Sequence, residues 1–409
     1  MSTIRLYKEN VYQKEADGLI TSVAAYKNKS LVTLDQSIFF PEGGGQSADK
    51  GTLAGYEVKD VFEKDGEVFH VVDCQPEDLA RFRADKPVHQ ILDWDHRFDN
   101  MQRHCGEHIM SGVFHREFGG VNKGFHMGDN YMTLDISFEN NAQHDKLTWE
   151  MAKHAELCAN QVIWANLPVT TTYFTRAKQA RKMPLRKVLT IDEDITVVTI
   201  GDPEDPADCV ACCGTNTSTT GQIGMIKVYK VESNKGMFRV YMESGKRAFE
   251  KYQSEYDVMT ALGNRLSAGT EDLMKKYLAQ QEKNNEVRAQ LGSLRRYYIA
   301  EEAAKIKEEL KASSNSNLIK EYSVLTLDDL LNLAKELFDV IPKVLFLVHR
   351  PSNTVLLCSN GKINCSQLVK DNASIYGGKG GGNATSARAI FTKPEYVDTF
   401  IDLIDKHLR

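Results

Sequence analysis

His104 and His108 lie four residues apart in a stretch, residues 93–118, whose apolar positions Met101, Ile109, Met110, Val113 and Phe114 have helical spacing. On a helix that separation places both imidazoles on one face, with Cβ atoms about 5–6 Å apart, so both can reach one metal ion. Further along the chain, Cys209, Cys212 and Cys213 precede Gly214-Thr215-Asn216. Two imidazoles with one or two thiolates suit Zn²⁺ better than Mg²⁺ or Ca²⁺, which prefer oxygen. Adjacent Cys212 and Cys213 would face opposite sides of an extended loop, so one of them is expected to ligate. Neither an HxxxH nor a single CxxC is specific, and core histidines and inert thiols are the plain alternative. Cys105 lies off the face of the two histidines and reads as a buried thiol. Cys74, Cys158, Cys358 and Cys365 are scattered and read as core residues.

Two glycine-rich segments could bring backbone N–H groups close to a ligand. The first is Pro41-Glu42-Gly43-Gly44-Gly45-Gln46. The second is Gly377-Gly378-Lys379-Gly380-Gly381-Gly382-Asn383, placed before a segment read as a helix around 383–390. At a helix N-terminus such a loop would bind phosphate or an RNA backbone. It has neither the spacing of a P-loop nor the placement of a dinucleotide fingerprint. A run of cations, Arg176, Lys178, Arg181, Lys182, Arg186 and Lys187, reads either as a nucleic-acid patch or as a solvated basic loop.

The elements that must position these groups fall into four parts. Residues 1–90 read as a β-rich subdomain, with apolar runs such as Leu31–Leu34 and Val68–Val72 between turn signals. Residues 91–244 read as an α+β core: helices over 93–118 and 143–165, and strands over 125–138, 194–200 and 223–230. Residues 245–312 lack proline and read as a helical hairpin or coiled-coil spacer. Tyr252, Tyr256, Met259 and Leu262 lie on its first helix. Leu273, Tyr277, Leu291, Leu294, Tyr298, Ile306 and Leu310 lie on its second, with Thr270 as N-cap. Dimerisation through this spacer and a solvated helix pair are both open. After the polar linker Ser313–Asn317, residues 318–409 form a small α/β domain with helices at 327–339 and 394–408. The expected fold class is therefore α+β, with a β-barrel-like N-terminal subdomain, an α+β core, a helical spacer and a small α/β C-terminal domain.

Composition bounds the partners. The 409 residues carry 51 Lys and Arg against 56 Asp and Glu, a net charge of −5, with 42% hydrophobic and 26% charged residues. This is globular composition. It excludes a histone-like basic protein but not a local basic patch. No apolar stretch of about 18 residues suggests a membrane span. The first ten residues, MSTIRLYKEN, hold no signal-peptide core. A cytoplasmic location and reduced cysteines are expected.

Several motifs resemble one family in the same order. Residues 34–46, Leu-Asp-Gln-Ser-Ile-Phe-Phe-Pro-Glu-Gly-Gly-Gly-Gln, resemble the opening motif of the alanyl-tRNA synthetase editing domain. His104-Cys105-Gly106-Glu107-His108 resembles its metal-binding helix. Gly124-Phe125-His126-Met127-Gly128 with Thr133-Leu134-Asp135 resembles the strand that follows. Cys212-Cys213-Gly214-Thr215-Asn216 with Thr220-Gly221-Gln222-Ile223-Gly224 resembles the family's CxGTH and TGxIG segment. Arg239–Gly245 resembles the strand leading into the spacer, and Gly377–Asn383 resembles the C-terminal domain shared with DHH-type phosphoesterases. The chain thus resembles a long-form AlaX-type, free-standing alanyl-tRNA editing protein.

That resemblance implies an ATP-independent hydrolase that removes serine, with glycine as a second candidate, from mischarged tRNA(Ala). It implies one Zn²⁺ per chain, held by His104, His108 and Cys212. It also implies that Ser37 bonds the serine hydroxyl, that Gly43 and Gly44 approach the aminoacyl end, and that Gln46 fixes the ester or ribose. Arg181, Lys182, Arg186 and Lys187, with Gly378, Lys379 and Gly380, would hold tRNA. A homodimer through the spacer or the C-terminal domain is compatible with it. One position departs from the pattern: Asn216 replaces the family's last histidine ligand. Water or Asn216 could complete the metal shell, Cys209 could replace the missing ligand, or the site could be weakened. The last case leads to the rival reading, a non-catalytic tRNA-binding adaptor. A DHH-type phosphoesterase would need an Asp-His-His cluster, which Asp95-His96-Arg97 does not supply.

Overall fold

The computed structural model describes residues 3–79, 86–139, 141, 143–312 and 317–408. They form an α+β chain of two compact units, Met1–Ala261 and Leu262–Arg409. The linker expected at 313–317 lies outside the described residues except for Asn317. No described helix is long and apolar enough to cross a membrane.

The first unit begins with a seven-stranded antiparallel sheet. Its strands are β1 (Glu15–Gly18), β2 (Ile20–Tyr26), β3 (Lys29–Leu34), β4 (Gly51–Leu53), β5 (Tyr56–Lys64), β6 (Glu67–Val72) and β7 (Val88–Leu92). Their order across the sheet is β1-β7-β4-β5-β6-β3-β2. The two edge strands, β1 and β2, are separated in sequence by Leu19 alone, so the sheet must curl until its edges nearly meet. Val32, Leu34, Val58, Val61, Val68 and Val72 fill its interior. His70 of β6 lies in the same interior and is fully buried. Its Nδ1–H donates to the Val32 carbonyl at 3.1 Å, and its Nε2 accepts from the Ser37 hydroxyl at 2.7 Å. Burial pushes its pKa from 6.5 down to about 4.

The centre of this unit is a 25-residue helix, α1 (Trp94–Phe118). The Asp93 carboxylate caps it by accepting from the His96 N–H at 3.1 Å, and Gly119 ends it in the left-handed region at φ 63°. Residues 100–114 are buried on every side. Ile109, Met110, Val113 and Phe114 pack with a four-stranded antiparallel sheet, ordered β8 (Val121–Met127), β9 (Met132–Ser137), β14 (Met237–Ser244) and β13 (Ile226–Asn234). Helix α2 (Trp149–Trp164) adds Ala152, Ala155 and Ala159 to that core. A third sheet is formed by β10 (Val169–Arg176), β11 (Glu193–Gly201) and β12 (Pro206–Ala211). The stretch 125–138, read as one strand, is a β-hairpin, because Gly128-Asp129-Asn130 turns the chain between β8 and β9. The strand expected over 223–230 is β13, which starts only at Ile226, after a short 3₁₀ turn over Thr220–Ile223.

The charged residues of α1 are paired inside the fold. Arg97 binds the carboxylate of fully buried Asp49 and also donates to the carbonyls of Val11 and Ile38. Arg103 pairs with buried Glu243 at 2.9 Å. These pairs fasten the helix to the curled sheet on one side and to β14 on the other. Helix α3 (Gly245–Leu266) follows β14, its residues up to Ala261 belonging to this unit.

After the last turn of α3, the second unit continues with α4 (Leu273–Ala312), which starts three residues after Thr270, the residue expected to cap it. Ile299, Ala303, Ile306 and Leu310 are buried against α5 (Leu327–Leu337), whose start is closed by the reciprocal Thr326–Asp329 capping box. Tyr277, Leu291, Leu294 and Tyr298, expected on the apolar face of this helix, are exposed. The sheet runs β15 (Leu318–Tyr322), β16 (Leu345–His349), β17 (Thr354–Cys358), β19 (Ser386–Ile390) and β18 (Lys379–Gly382). Helix α6 (Cys365–Asn372) packs on the last two strands, and α7 (Pro394–Leu408) closes the chain. The helix expected at 383–390 is therefore strand β19, and the glycine run is its edge partner β18 rather than a loop at a helix N-terminus. Gly380 has no side chain because a Cβ there would meet the Val369 side chain of α6 at 2.7 Å and the Arg388 carbonyl at 2.0 Å.

His70 carries a pH prediction. Between about pH 6.5 and 4 the unfolded imidazole takes up a proton that the folded one refuses. The unfolded state then binds more protons, and stability falls with pH across that window, by about 3 kcal/mol at its acid end. A His70→Gln variant should lose less stability than wild type over the same window, as measured by denaturant unfolding at a series of pH values.

Candidate metal centre

His104 and His108 face one way from the middle of α1, with ring centroids 4.8 Å apart, and both are buried. Cys212 follows β12, and its N–H donates to the Thr196 carbonyl at 2.9 Å. This places the Cys212 Sγ 3.2 Å from His104 Nε2. The donor atoms of His104, His108 and Cys212 all lie within 4.8 Å of one another. Gly214 keeps this arrangement possible, because a Cβ on it would sit 2.1 Å from the His104 ring. Cys213 is exposed and lines the adjoining cavity but is not part of this donor group.

Gln46 lies behind His104. Its Oε1 accepts from His104 Nδ1–H at 2.8 Å and from the Thr215 N–H at 3.0 Å, while its Nε2–H donates to the Thr215 hydroxyl at 2.9 Å. His104 thus carries a proton on Nδ1 and turns Nε2 toward Cys212. Gln46 is fully buried and does not line the cavity; the contact its amide makes is with the His104 imidazole. Ser37 is also enclosed. Its hydroxyl donates to His70 and accepts from the Phe39 N–H at 3.1 Å, and Ser37 does not line the cavity. Gly43 pairs with Gln46 in a tight bridge, and Gly44 and Gly45 line the cavity.

Cys209 does not join the group. It is buried beside Thr199, with its Sγ 3.6 Å from the Thr199 hydroxyl, in a core with Ile195 and Val197. The alternation along β12 turns its side chain to that core. Asn216 is buried, and its Oδ1 has no hydrogen-bond partner, as is also true of His108 Nε2. Cys105 is fully buried, and burial pushes its thiol up to about 11.

Two carboxylates complete the surroundings. Glu107 lies on the same face of α1 as the histidines, with Oε2 3.1 Å from His108 Nδ1. Its Oε1 accepts from Ser111 and Asn122, at 2.6 and 2.7 Å. Asp208 lies 3.8 Å from His108 Nδ1 and pairs with Arg186 at 2.6 Å. Burial works against the Cys212 thiolate, but the two imidazoles outweigh it and hold the thiol well below its usual range. Burial likewise opposes the charge of Glu107, while His108, Arg186 and His104 hold its carboxyl well below the usual carboxylate range. Among the described residues, two buried carboxylates and a thiolate thus face the Arg186 guanidinium and a His108 imidazole whose pKa Cys212 and Glu107 raise against burial. A divalent cation held by His104, His108 and Cys212 would take over the positive charge that this anionic surround favours and engage the His108 nitrogen, so the donor set fits zinc.

The group opens into a cavity of about 570 Å³. Lys8, Lys123 and Lys187 stand around it, with Phe125, Asn122 and Glu107 in its lining. The basic stretch divides. Both Arg186 and Lys187 line the cavity, the Arg186 side chain buried against Asp208 and Lys187 exposed. Exposed Arg181 pairs with Asp192 at 3.1 Å, and Lys182 is exposed. In the second unit Lys379 and Gly380 are exposed on β18, and Gly378 before it is buried. Glu107, Asn122, Asp208, Lys8 and Lys123 escaped the sequence reading. Of these only Glu107, three residues after His104 on a helix, had a signal that could have found it.

Comparison with known proteins bears on the same residues. The family described as the threonyl and alanyl tRNA synthetase second additional domain matches residues 195–241, the segment that carries Cys212 and Asn216. The alanyl-tRNA editing protein AlaX-L of Pyrococcus horikoshii is 28% identical, and the alignment covers 99% of each chain. The chain resembles a long-form alanyl-tRNA editing protein from end to end. Alanine–tRNA ligases of Caldivirga maquilingensis and Thermococcus kodakarensis are each 28% identical over 99% of this chain. This AlaX-L-like chain spans 44% of each of those two ligases.

The role of Gln46 is measurable. Gln46→Ala should weaken Zn²⁺ binding about 10- to 100-fold, because the His104 ring loses the partner that sets its tautomer. Ser37→Ala, in the same motif but turned into the sheet, should leave Zn²⁺ affinity unchanged. Competition with a chromophoric chelator reads both.

Proposed function

We propose that this protein is a free-standing hydrolase that removes the wrong amino acid, serine or glycine, from tRNA(Ala). The observation that carries the reading is the convergence of two buried imidazoles and a thiolate on the floor of a lysine-lined cavity. They sit in a chain that resembles an alanyl-tRNA editing protein along its whole length.

The residues take the following roles in this reading. Lys8, Lys123 and Lys187 attract the phosphates of the tRNA 3′ end toward the opening, so affinity falls steeply with salt. Phe125 and the Gly44–Gly45 turn bound the space in which the aminoacyl group lies. His104, His108 and Cys212 hold a zinc ion, with Asn216 or water completing its shell. When bound, the ion supplies a Lewis acid that polarises the ester carbonyl or the attacking water. Gln46 fixes His104, and Glu107 lies against His108. The product is a free amino acid and an uncharged tRNA, and no ATP is consumed. Lys379 and the neighbouring glycine edge of β18 give the second unit a place to contact the tRNA body.

Asn216 supports a second reading. With an amide where the family has an imidazole, the chain could bind tRNA(Ala) without cleaving the ester.

Purified protein should deacylate seryl-tRNA(Ala), and glycyl-tRNA(Ala) at its own rate, while sparing alanyl-tRNA(Ala). A chelator should stop the reaction, and His104→Ala should reduce it to background without abolishing tRNA binding. Absence of hydrolysis with intact tRNA binding would overturn the hydrolase and leave the adaptor.

A further inference from the structure

Cys158, read from the sequence as a core residue, is half-buried on α2 at the protein surface. One turn earlier on the same face is His154, and the Cys158 Sγ lies 3.4 Å from its Nε2. Glu117, in the last turn of α1, places its Oε2 3.6 Å from the same nitrogen. All three donor atoms lie within 4.8 Å of one another. We propose that Glu117, His154 and Cys158 form a second divalent-metal site, separate from the His104 centre and suited to zinc.

The distances fit that ion. With bond lengths of about 2.0 Å to nitrogen and oxygen and 2.3 Å to sulfur, tetrahedral zinc holds its donors about 3.3–3.6 Å apart. The pairs Cys158–His154 and Glu117–His154 already have those separations without rearrangement. A thiolate, an imidazole and a carboxylate are a borderline-soft set that selects zinc over calcium or magnesium. A carboxylate in the last turn of a helix faces the negative end of its dipole, and a bound cation there relieves the repulsion. Arg116 supplies part of that relief through the other Glu117 oxygen, at 3.5 Å, and leaves Oε2 facing His154.

The donors also stand on firm supports. Phe118 sets its ring edge-on to His154, with centroids 5.9 Å apart. The opposite face of α2 is tied down: Glu156 accepts from the Val228 N–H, and the Asn160 amide bonds Ile226 on both its N–H and its carbonyl. Glu117 lies thirteen residues after His104 on one helix, about 20 Å along its axis. That is far beyond the span of a binuclear centre, about 4 Å. The second ion would therefore act as a clamp between the end of α1 and α2, with no part in the ester chemistry. The proposal does not rest on the function given above.

The test is a Co²⁺ titration of the full-length protein, stripped of metal and kept reduced, with thiolate-to-cobalt charge transfer as the signal. Wild type should saturate at two equivalents. Cys158→Ser should saturate at one, and Cys212→Ser should also saturate at one. A wild type and a Cys158→Ser that saturate at the same ratio would overturn the second site. Loss of signal in Cys158→Ser but none in Cys212→Ser would uphold it and remove the first centre instead. Because Cys158 is on the surface, its substitution leaves the fold intact, and far-UV circular dichroism of the variant verifies this.

Discussion

A helix buried on every side can carry charge only where each charge meets its opposite. Helix α1 is such a helix, and the first unit is organised around its demands. Arg97 finds Asp49 on the loop before β4, and Arg103 finds Glu243 on β14. An unpaired guanidinium at either place would cost several kcal/mol. The curled sheet and the four-stranded sheet are thereby fixed to the same rod. The two metal-facing histidines lie one and five residues beyond the Arg103 anchor, within the segment that is buried on every side. The precision of the site follows from the pairing of residues that never touch a ligand.

The two imidazoles are held in different ways. His104 is oriented by a neutral amide that is itself fixed by Thr215, so its proton is assigned to Nδ1. His108 lies between two carboxylates, Glu107 and Asp208, and its environment is strongly negative. Arg186 moderates this by pairing with Asp208. A residue that looked like part of an RNA-binding run thus serves the electrostatics of the centre, while its neighbour Lys187 keeps its charge at the cavity.

Much of this architecture was legible from residue order. The periodicity of α1, the pairing of HxxxH with a distant cysteine, the apolar runs of β3 and β6 and the break between α3 and α4 all follow from residue types and their spacing. What escaped is instructive in its kind. Ser37 and Gln46 belong to a motif whose residue types suggest substrate contacts, yet both point into the protein. Their direction depends on the curl of the sheet and on Thr215, which lies far away in sequence. The strand β19 looked helical because Ala384, Ala387 and Ala389 favour helix, while its pairing with β17 decides otherwise. Lys8 and Lys123 carry no local signal, since only the assembled fold brings them to one opening.

The single-residue junction at Leu19 has a consequence for how the chain is made. Among the described residues, strand β1 pairs in the sheet with β7 alone, and β7 ends at Leu92. During synthesis the first strand leaves the ribosome long before its partner exists. Until Leu92 emerges, the nascent sheet carries an open edge that other chains could join. Closing it also requires one of the most sequence-distant strand pairings in the first subdomain, which makes closure slow. The order of translation therefore leaves this sheet vulnerable to misassembly for as long as it takes to make its last strand.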